Sequence, residues 1–463
     1  FNDSIVTIVG WREDTARSFS SRNRPPSGWV VTPENDGIVN VQWDNSVAPG
    51  ELTRHLGQEI TGDIWSYSAV AHFSDWFRLP WGLQLSGHFS KSENFQTLAG
   101  DVDLFGRFLA PPGGASKDWG LTLATKDNRA SLRLNFYRSD IKNSRTTALS
   151  AAAINGVYVM DFQTLQQWYE GLNTGWVTLD DIAFYEQGIP ESAKKLVGYT
   201  VSRGPSGEYF TTYANPTVTD TEDLAGRGME IEATFNVTPN WRIHTNVAQA
   251  KAKSSNIAPA FRQYVDLRRP VWGDVRDGTT SRTSEKPRST TGLPNINDTS
   301  NPNYPNPSQF GDTTAIAAYG RAYSHYESIE RSEGRDSDRI REWRFNFVTN
   351  YQFREGRLRG FGVGGAYRWE DEAIVSYANK QLVINEGTPF QQTVSVTDFD
   401  RPFVSPSESN VDVWISHRRK ILRDKVDWHI QLNLRNVTAD SDGLIPIAYT
   451  PTGIPTNFIT KAT

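Results

Sequence analysis

Eleven stretches of the chain alternate apolar with polar residues, and they are joined in turn by a very short connection and a very long one. A period of two is that of a β-strand, whose successive side chains point to opposite faces of a sheet. The clearest instance runs from Trp343 to Phe353, where Trp343, Phe345, Phe347, Thr349, Tyr351 and Phe353 share one face and Arg344, Asn346, Asn350 and Gln352 take the other. Val426, Trp428, Ile430, Leu432 and Leu434 alternate as strictly against Asp427, His429, Gln431, Asn433 and Arg435. One face of such a strand suits hydrocarbon and the other suits water.

The short connections pair these strands into hairpins. Trp65, Tyr67, Ala69, Ala71 and Phe73 precede the DWFRLP turn, and Trp81, Leu83, Leu85 and Phe89 follow it. Trp119, Leu121 and Leu123 oppose Leu132, Leu134 and Phe136 across an Asp-Asn turn at Lys126 to Arg129, with Thr122, Ser131, Arg133 and Asn135 on the polar side. Met229, Ile231, Ala233 and Phe235 lead to a turn at Pro239 and Asn240, followed by Trp241, Ile243 and Val247. A fourth hairpin turns at Arg354 to Arg357 and a fifth near ILRDK. The opening run from Ser4 to Asp14 is β-branched but alternates poorly, which leaves its facing open.

The long connections cover residues 15–62, 94–116, 141–225, 254–341 and 373–409. Structureless loops beyond about 12–15 residues are uncommon in compact soluble domains, so five on one side of a sheet need a reason. Outer-membrane barrels supply one, with short periplasmic turns and long extracellular loops. Residues 147–172 read as a short helix or two, and residues 281–309, rich in Ser, Thr, Asn, Pro and Gly, read as irregular.

Composition agrees. The hydrophobic share of the 463 residues is 37% and mean hydropathy is -0.54, so no long spanning helix is available, whereas a membrane strand dilutes its apolarity every second residue. Aromatic residues make up 12%, with 15 Trp. If the short turns face the periplasm, Phe73, Trp81, Phe235, Trp241, Phe353, Phe361 and Trp428 fall near that boundary, while Trp11, Trp65, Phe89, Trp119, Phe136, Trp343 and Trp369 fall near the outer one. That arrangement is two interfacial girdles. A net charge of -5 argues against a nucleic-acid partner. With no cysteine there is neither a disulfide framework nor a thiolate metal site. The chain opens on Phe1 with no export segment after it, which suggests a removed signal or an excerpt of something longer.

A family resemblance emerges from particular strands. GRGMEIEATFNVTPNWRIHTNVAQAKA resembles the segment of TonB-dependent outer-membrane receptors in which a G-x-E-x-E strand meets an N-P-T-P-N-W-R turn and strand. FNDSIVTIVGWRED is similar to the family's F-D-D-x-L-x-x-x-x-G-x-R-x-D strand, and VDWHIQLNLRNVTAD to its penultimate strand, W-x-x-Q-L-N-V-x-N. The likeness covers most strands and little of the loops. It implies an all-β fold, an antiparallel transmembrane β-barrel of twenty-two strands with long extracellular loops. It also implies residence in the bacterial outer membrane, with lipid around the wall, and TonB-energised import of a small scarce ligand such as a siderophore or an oligosaccharide.

Against that pattern, residues 1–463 hold no plug domain, no TonB-contacting segment and no closing strand after Ile459, Thr460, Lys461, Ala462 and Thr463. They are expected to be the C-terminal part of the barrel, about eleven strands, with the plug and final strand absent and two edges unpaired.

The search for chemistry finds no catalytic, cofactor or metal site, and the ligand-binding residues stay unknown at this stage. His72, His88, His244 and His429 lie on polar strand faces without a ligand-spaced His pair. Glu230 and Glu232 share a face as a glycosidase pair might, though a charged face beside a wet lumen is the simpler reading. Asp180 and Asp181 include a candidate helix cap before IAFYEQG, with a calcium role as the lesser alternative. Gly360 to Gly365 sits on a strand and is therefore no phosphate cradle, and RGPSGE at Arg203 is turn chemistry. No nucleophile elbow is present. A TonB-dependent receptor is thus expected rather than an enzyme, with a passive porin and a secreted β-protein acting on or binding carbohydrate as the alternatives.

Overall fold

The computed structural model describes residues 4–20, 29–33, 39–43, 55–96, 100–173, 178–214, 216–272, 315–384, 386, 392–423, 425–438, 443–450 and 452–460. In the first part of the chain lie β1 (Ile5–Ser20), β2 (Trp29–Pro33), β3 (Val39–Trp43), β4 (His55–His72), β5 (Leu83–Phe95), β6 (Gly113–Thr125) and β7 (Ala130–Arg145). Helices α1 (Ala151–Asn173), α2 (Leu179–Glu186) and α3 (Glu191–Leu196) follow, then β8 (Thr200–Arg203), β9 (Tyr209–Thr212), β10 (Thr221–Thr238) and β11 (Trp241–Ser255). Beyond them come α4 (Pro259–Trp272), α5 (Ala315–Ser332), β12 (Trp343–Gln352), β13 (Phe361–Glu370), β14 (Ala373–Ile384) and β15 (Gln392–Ser405). The last strands are β16 (Glu408–Ile421), β17 (Val426–Leu434), β18 (Leu444–Tyr449) and β19 (Pro455–Thr460).

The eleven alternating stretches form one eleven-stranded sheet in the order β1-β4-β5-β6-β7-β10-β11-β12-β13-β16-β17. Every neighbouring pair is antiparallel, so all short turns gather at one end and all long connections at the other. The sheet is open, with β1 and β17 as its edges.

Register aligns like with like. Leu121, Leu134, Ile231, Val247, Phe345 and Trp369 stand side by side across six strands on one face. On the other face, Arg133, Glu232, Asn246, Asn346, Arg368 and Asn410 form the corresponding polar row. At the loop end the apolar face carries exposed Trp11, Trp65, Phe89, Trp119 and Phe136, and at the turn end exposed Trp81, Phe235, Trp241 and Trp428. Trp343, Trp369, Phe353 and Phe361 are half-buried. Two further turn-end aromatics, Trp76 and Phe77, come from the DWFRLP connection, where Phe73 folds over Gly87 so closely that a Cβ there would meet its ring at 2.9 Å.

The strands run further toward the loops than alternation suggests. Residues 141–145, 221–225 and 254–255 were expected to be loop and are paired strand. Beyond the outer aromatics the alternation of apolar and polar faces lapses, with Lys117, Arg138 and Arg227 on one face and Ile141 and Leu224 on the other, while backbone pairing continues.

The long connections differ most from expectation. Where residues 147–172 were read as a short helix or two, one 23-residue helix, Ala151–Asn173, stands. The long connection 254–341 contains α4 and α5, which the sequence reading did not anticipate, while the hairpins β2–β3, β8–β9 and β14–β15 stand in other connections. Residues 281–309 lie outside the described residues. The hydrophobic core sits in this loop body, not on the sheet: Tyr158, Phe162, Leu165 and Trp168 of α1 pack with Ile182 and Tyr185 of α2, Phe261 and Tyr264 of α4, Ile329 of α5 and Val396 of β15.

Candidate functional site

Two polar surfaces stand out, one on the sheet face and one at the loop end of the sheet. The first is the polar sheet face itself, where Glu232, His244, Asn246, Asn346, Arg368 and Asp412 line a shallow depression of about 490 Å³. Adjacent antiparallel strands deliver these residues because each lies at the same parity in its strand. Arg368 donates to Asp412 at 2.8 Å, and the backbone N–H of Asn436 donates to the same carboxylate at 2.8 Å. His244 Nδ1 lies 3.0 Å from Thr234 Oγ1 and 4.0 Å from Glu232. Toward β5 the same face holds a tight cluster in which His88 Nε2 is 3.0 Å from Asp118 and 2.9 Å from Asn135, whose amide donates to Asp118 at 3.0 Å. Toward β16, Trp414 donates to Asn350 at 3.1 Å and lies flat over Gly364, where a Cβ would come within 2.4 Å of the indole.

The second surface is a vestibule of about 620 Å³ between the strand ends and the loop body. Glu222 of β10 accepts the Thr147 N–H at 2.6 Å and the Thr147 hydroxyl at 3.2 Å, anchoring the chain just before α1 to the rim. Tyr377 and Phe399 of the β14–β15 hairpin pack edge to face at 4.8 Å, with the Arg335 guanidinium 5.0 Å from the Phe399 ring centre. Burial pushes the Tyr377 phenol up, and Asp338 adds to that, so the group stays a neutral O–H donor. Ser328, Ser332, Ser376 and Thr397 add hydroxyls to the lining, and Arg335, Arg339, Asp336 and Asp338 supply charges of both signs. Such a wall offers donors, acceptors and an aromatic edge, which suits reversible capture of a polar ligand.

The loop body is held rigid by a buried ionic hub. Asp161 of α1 and Arg268 of α4 are both fully buried. Arg268 Nε and Nη2 donate to the two carboxylate oxygens at 2.9 Å each, and Tyr264, Tyr185 and Trp272 donate to the same carboxylate at 2.7, 3.2 and 2.7 Å. Arg268 also donates to the carbonyls of Gln187 and Tyr185. The neighbouring helix α4 is capped from a distance: Asp220 accepts the Phe261 N–H at 2.7 Å at its start, and burial raises the Asp220 carboxyl above the usual range.

The residues singled out from the sequence are dispersed. His72, His88, His244 and His429 all lie on the polar face, each on a different strand, and Glu230 opposes Asn135 and Ala248 outside the depression that Glu232 lines. Asp180 and Asp181 fall inside the first turn of α2 instead of capping it. Gly360 to Gly365 occupies the start of β13, where Gly362 and Gly364 make room for Gln352, Ser416 and Trp414, and Arg203 to Glu208 turns β8 into β9. Among the described residues no group of three His, Asp or Glu is placed to hold a metal ion, and no helix is long and apolar enough to cross a membrane. Sequence reading missed Asp161, Arg268 and the vestibule, whose parts are supplied by separate connections.

No family model and no curated protein matches the chain. Among solved structures it is similar to the ferripyoverdine receptor of the outer membrane of Pseudomonas aeruginosa, at 12% identity and TM-score 0.35, over 97% of this chain and 44% of that one. It is also similar to the ferric-catecholate import receptor Fiu of E. coli K12 (12% identity, TM-score 0.39, 98% and 40% covered). A third is the alcaligin outer-membrane receptor FauA of Bordetella pertussis (11%, TM-score 0.35, 94% and 42%). The chain thus spans less than half the length of each of these receptors.

Proposed function

We propose that residues 1–463 form part of the wall and the extracellular body of a TonB-dependent outer-membrane receptor, which captures a scarce small ligand at the vestibule and imports it along the polar face. The observation that carries this reading is the two-faced sheet: six-strand rows of exposed or half-exposed apolar residues on one side, charged and amide rows on the other, and aromatics at both ends. Water-soluble sheets cover their apolar face, whereas a membrane wall turns it outward. The open edges support a larger barrel, since unpaired strand edges are not tolerated in lipid. In this reading Gly362 and Gly364 let Trp414 and Gln352 lie close against the wall, keeping the lumen open.

The test is growth of a strain lacking the full-length receptor on ferric siderophores as iron source or oligosaccharides as carbon source, with and without complementation. Complemented growth on one of these, abolished by deleting TonB or by a protonophore, is the expected outcome. Equal growth without TonB would assign a passive porin, and recovery of the protein in the culture supernatant would assign a secreted β-protein.

A further inference from the structure

One row of the outward face gathers charge of a single sign. Lys91 of β5 pairs with Lys117 of β6, Lys117 with Arg138 of β7, Arg138 with Arg227 of β10, and Arg227 with Lys251 of β11. Five cations therefore stand abreast on five consecutive strands, over about 19 Å at the usual strand spacing. Like charges directly opposite each other destabilise a sheet. Other opposed charges are complementary in Arg133 with Glu232, Arg344 with Glu370 and Lys420 with Asp427, and alike in the acidic pairs Glu13 with Asp63 and Glu370 with Glu408.

The depth of the row is fixed by its neighbours. One step toward the turns on the same face lies the aromatic row of Phe89, Trp119 and Phe136, the loop-end girdle. The carboxylates that touch the cations all lie on the loop side: Glu93 at 2.5 Å from Lys91, Asp140 at 2.8 Å from Arg138 and Glu342 at 2.9 Å from Lys251. Lys117 and Arg227 are exposed and have no ion pair or hydrogen bond among the described residues. The row thus keeps excess positive charge immediately above the girdle, at the level where headgroups of the outer leaflet would sit.

We infer that this row is a binding site for the phosphates of a multiply phosphorylated glycolipid in the outer leaflet. The proposal rests on the membrane reading of the sheet. Guanidinium and ammonium groups at regular spacing match several phosphates on one headgroup, and binding would relieve the repulsion between Lys117, Arg227 and their neighbours.

The test uses the full-length receptor reconstituted into phosphatidylcholine vesicles, with lipid A, dephosphorylated lipid A or inorganic phosphate as probes. Flotation with vesicles comes first, because failure to float would sink the membrane reading itself. For protein that floats, lipid A should be retained through detergent extraction and raise the melting temperature. The doubly substituted Lys117→Gln, Arg227→Gln protein should hold lipid A about tenfold more weakly or less, the scale of losing two charge-assisted contacts. Lys126→Gln at the opposite rim should bind as the unaltered protein does. Equal retention of dephosphorylated lipid A, equal binding by the double variant, or saturation by inorganic phosphate alone would overturn the proposal.

Discussion

Asp161 and Arg268 show what a single residue can conceal. They are 107 positions apart, and nothing in the sequence pairs the one with the other. Removing one partner of a fully buried pair leaves the other uncompensated, so Arg268→Met alone should cost about 3–5 kcal/mol, and adding Asp161→Leu should recover part of that loss. Denaturant unfolding followed by tryptophan fluorescence checks this, and additive losses in the double variant would contradict it. On the sheet, Leu134→Arg on the apolar face should cost about 2–4 kcal/mol near the bilayer midplane, while Asn346→Arg on the polar face should cost far less. Alternation alone would put Asn135 beside Asn346 as a tolerant site. It is instead buried between His88 and Asp118, so Asn135→Arg should be nearly as damaging as Leu134→Arg when folding into vesicles is measured.

At the scale of elements, the strands of the large sheet were legible, while of the helices α1 showed only as a short helix or two and α4 and α5 not at all. A strand with one apolar and one polar face writes that difference into every second residue, which is why most of the eleven sheet strands and the turns at Lys126 to Arg129 and Pro239 to Asn240 could be read directly, whereas the facing of β1 could not. The helices pack against one another and against hairpins, so their apolar positions are set by distant partners. Even so, α4 carries a signal that could have found it: buried Phe261, Tyr264, Val265, Arg268 and Trp272 follow helical spacing. That packing has a measurable consequence at high pH. Burial, reinforced by Asp161, raises the phenols of Tyr158, Tyr185 and Tyr264 well above the ordinary tyrosine value. Folding favours their neutral form, so the associated stability is intact below about pH 10 and declines above it as the unfolded chain ionises. Tyrosinate absorbance against pH should therefore show a group of tyrosines that ionise only as the loop body melts. Smooth ionisation of every tyrosine with helical circular dichroism retained would refute the packed core.

For the whole molecule, the wall has a direction and two edges. Short turns at one end and the helical body at the other predict that protease added to intact cells cuts within residues 281–309 and spares residues 126–129, with the reverse pattern indicating inverted orientation. The edges bear on stability more directly. β1 exposes Val6, Ile8 and Val9 beside its unpaired backbone groups, and β17 exposes Trp428, Ile430, Leu432 and Leu434 beside its own. In lipid those N–H and C=O groups find no water, and in water the apolar rows between the girdles exceed what a monomer leaves uncovered. Residues 1–463 produced alone should therefore associate through their edges or aggregate, and should become monodisperse only when further strands of the same barrel pair with β1 and β17. Size-exclusion chromatography with light scattering measures this directly: a soluble monomer with one cooperative melting transition would contradict the membrane-wall reading and favour a secreted β-protein.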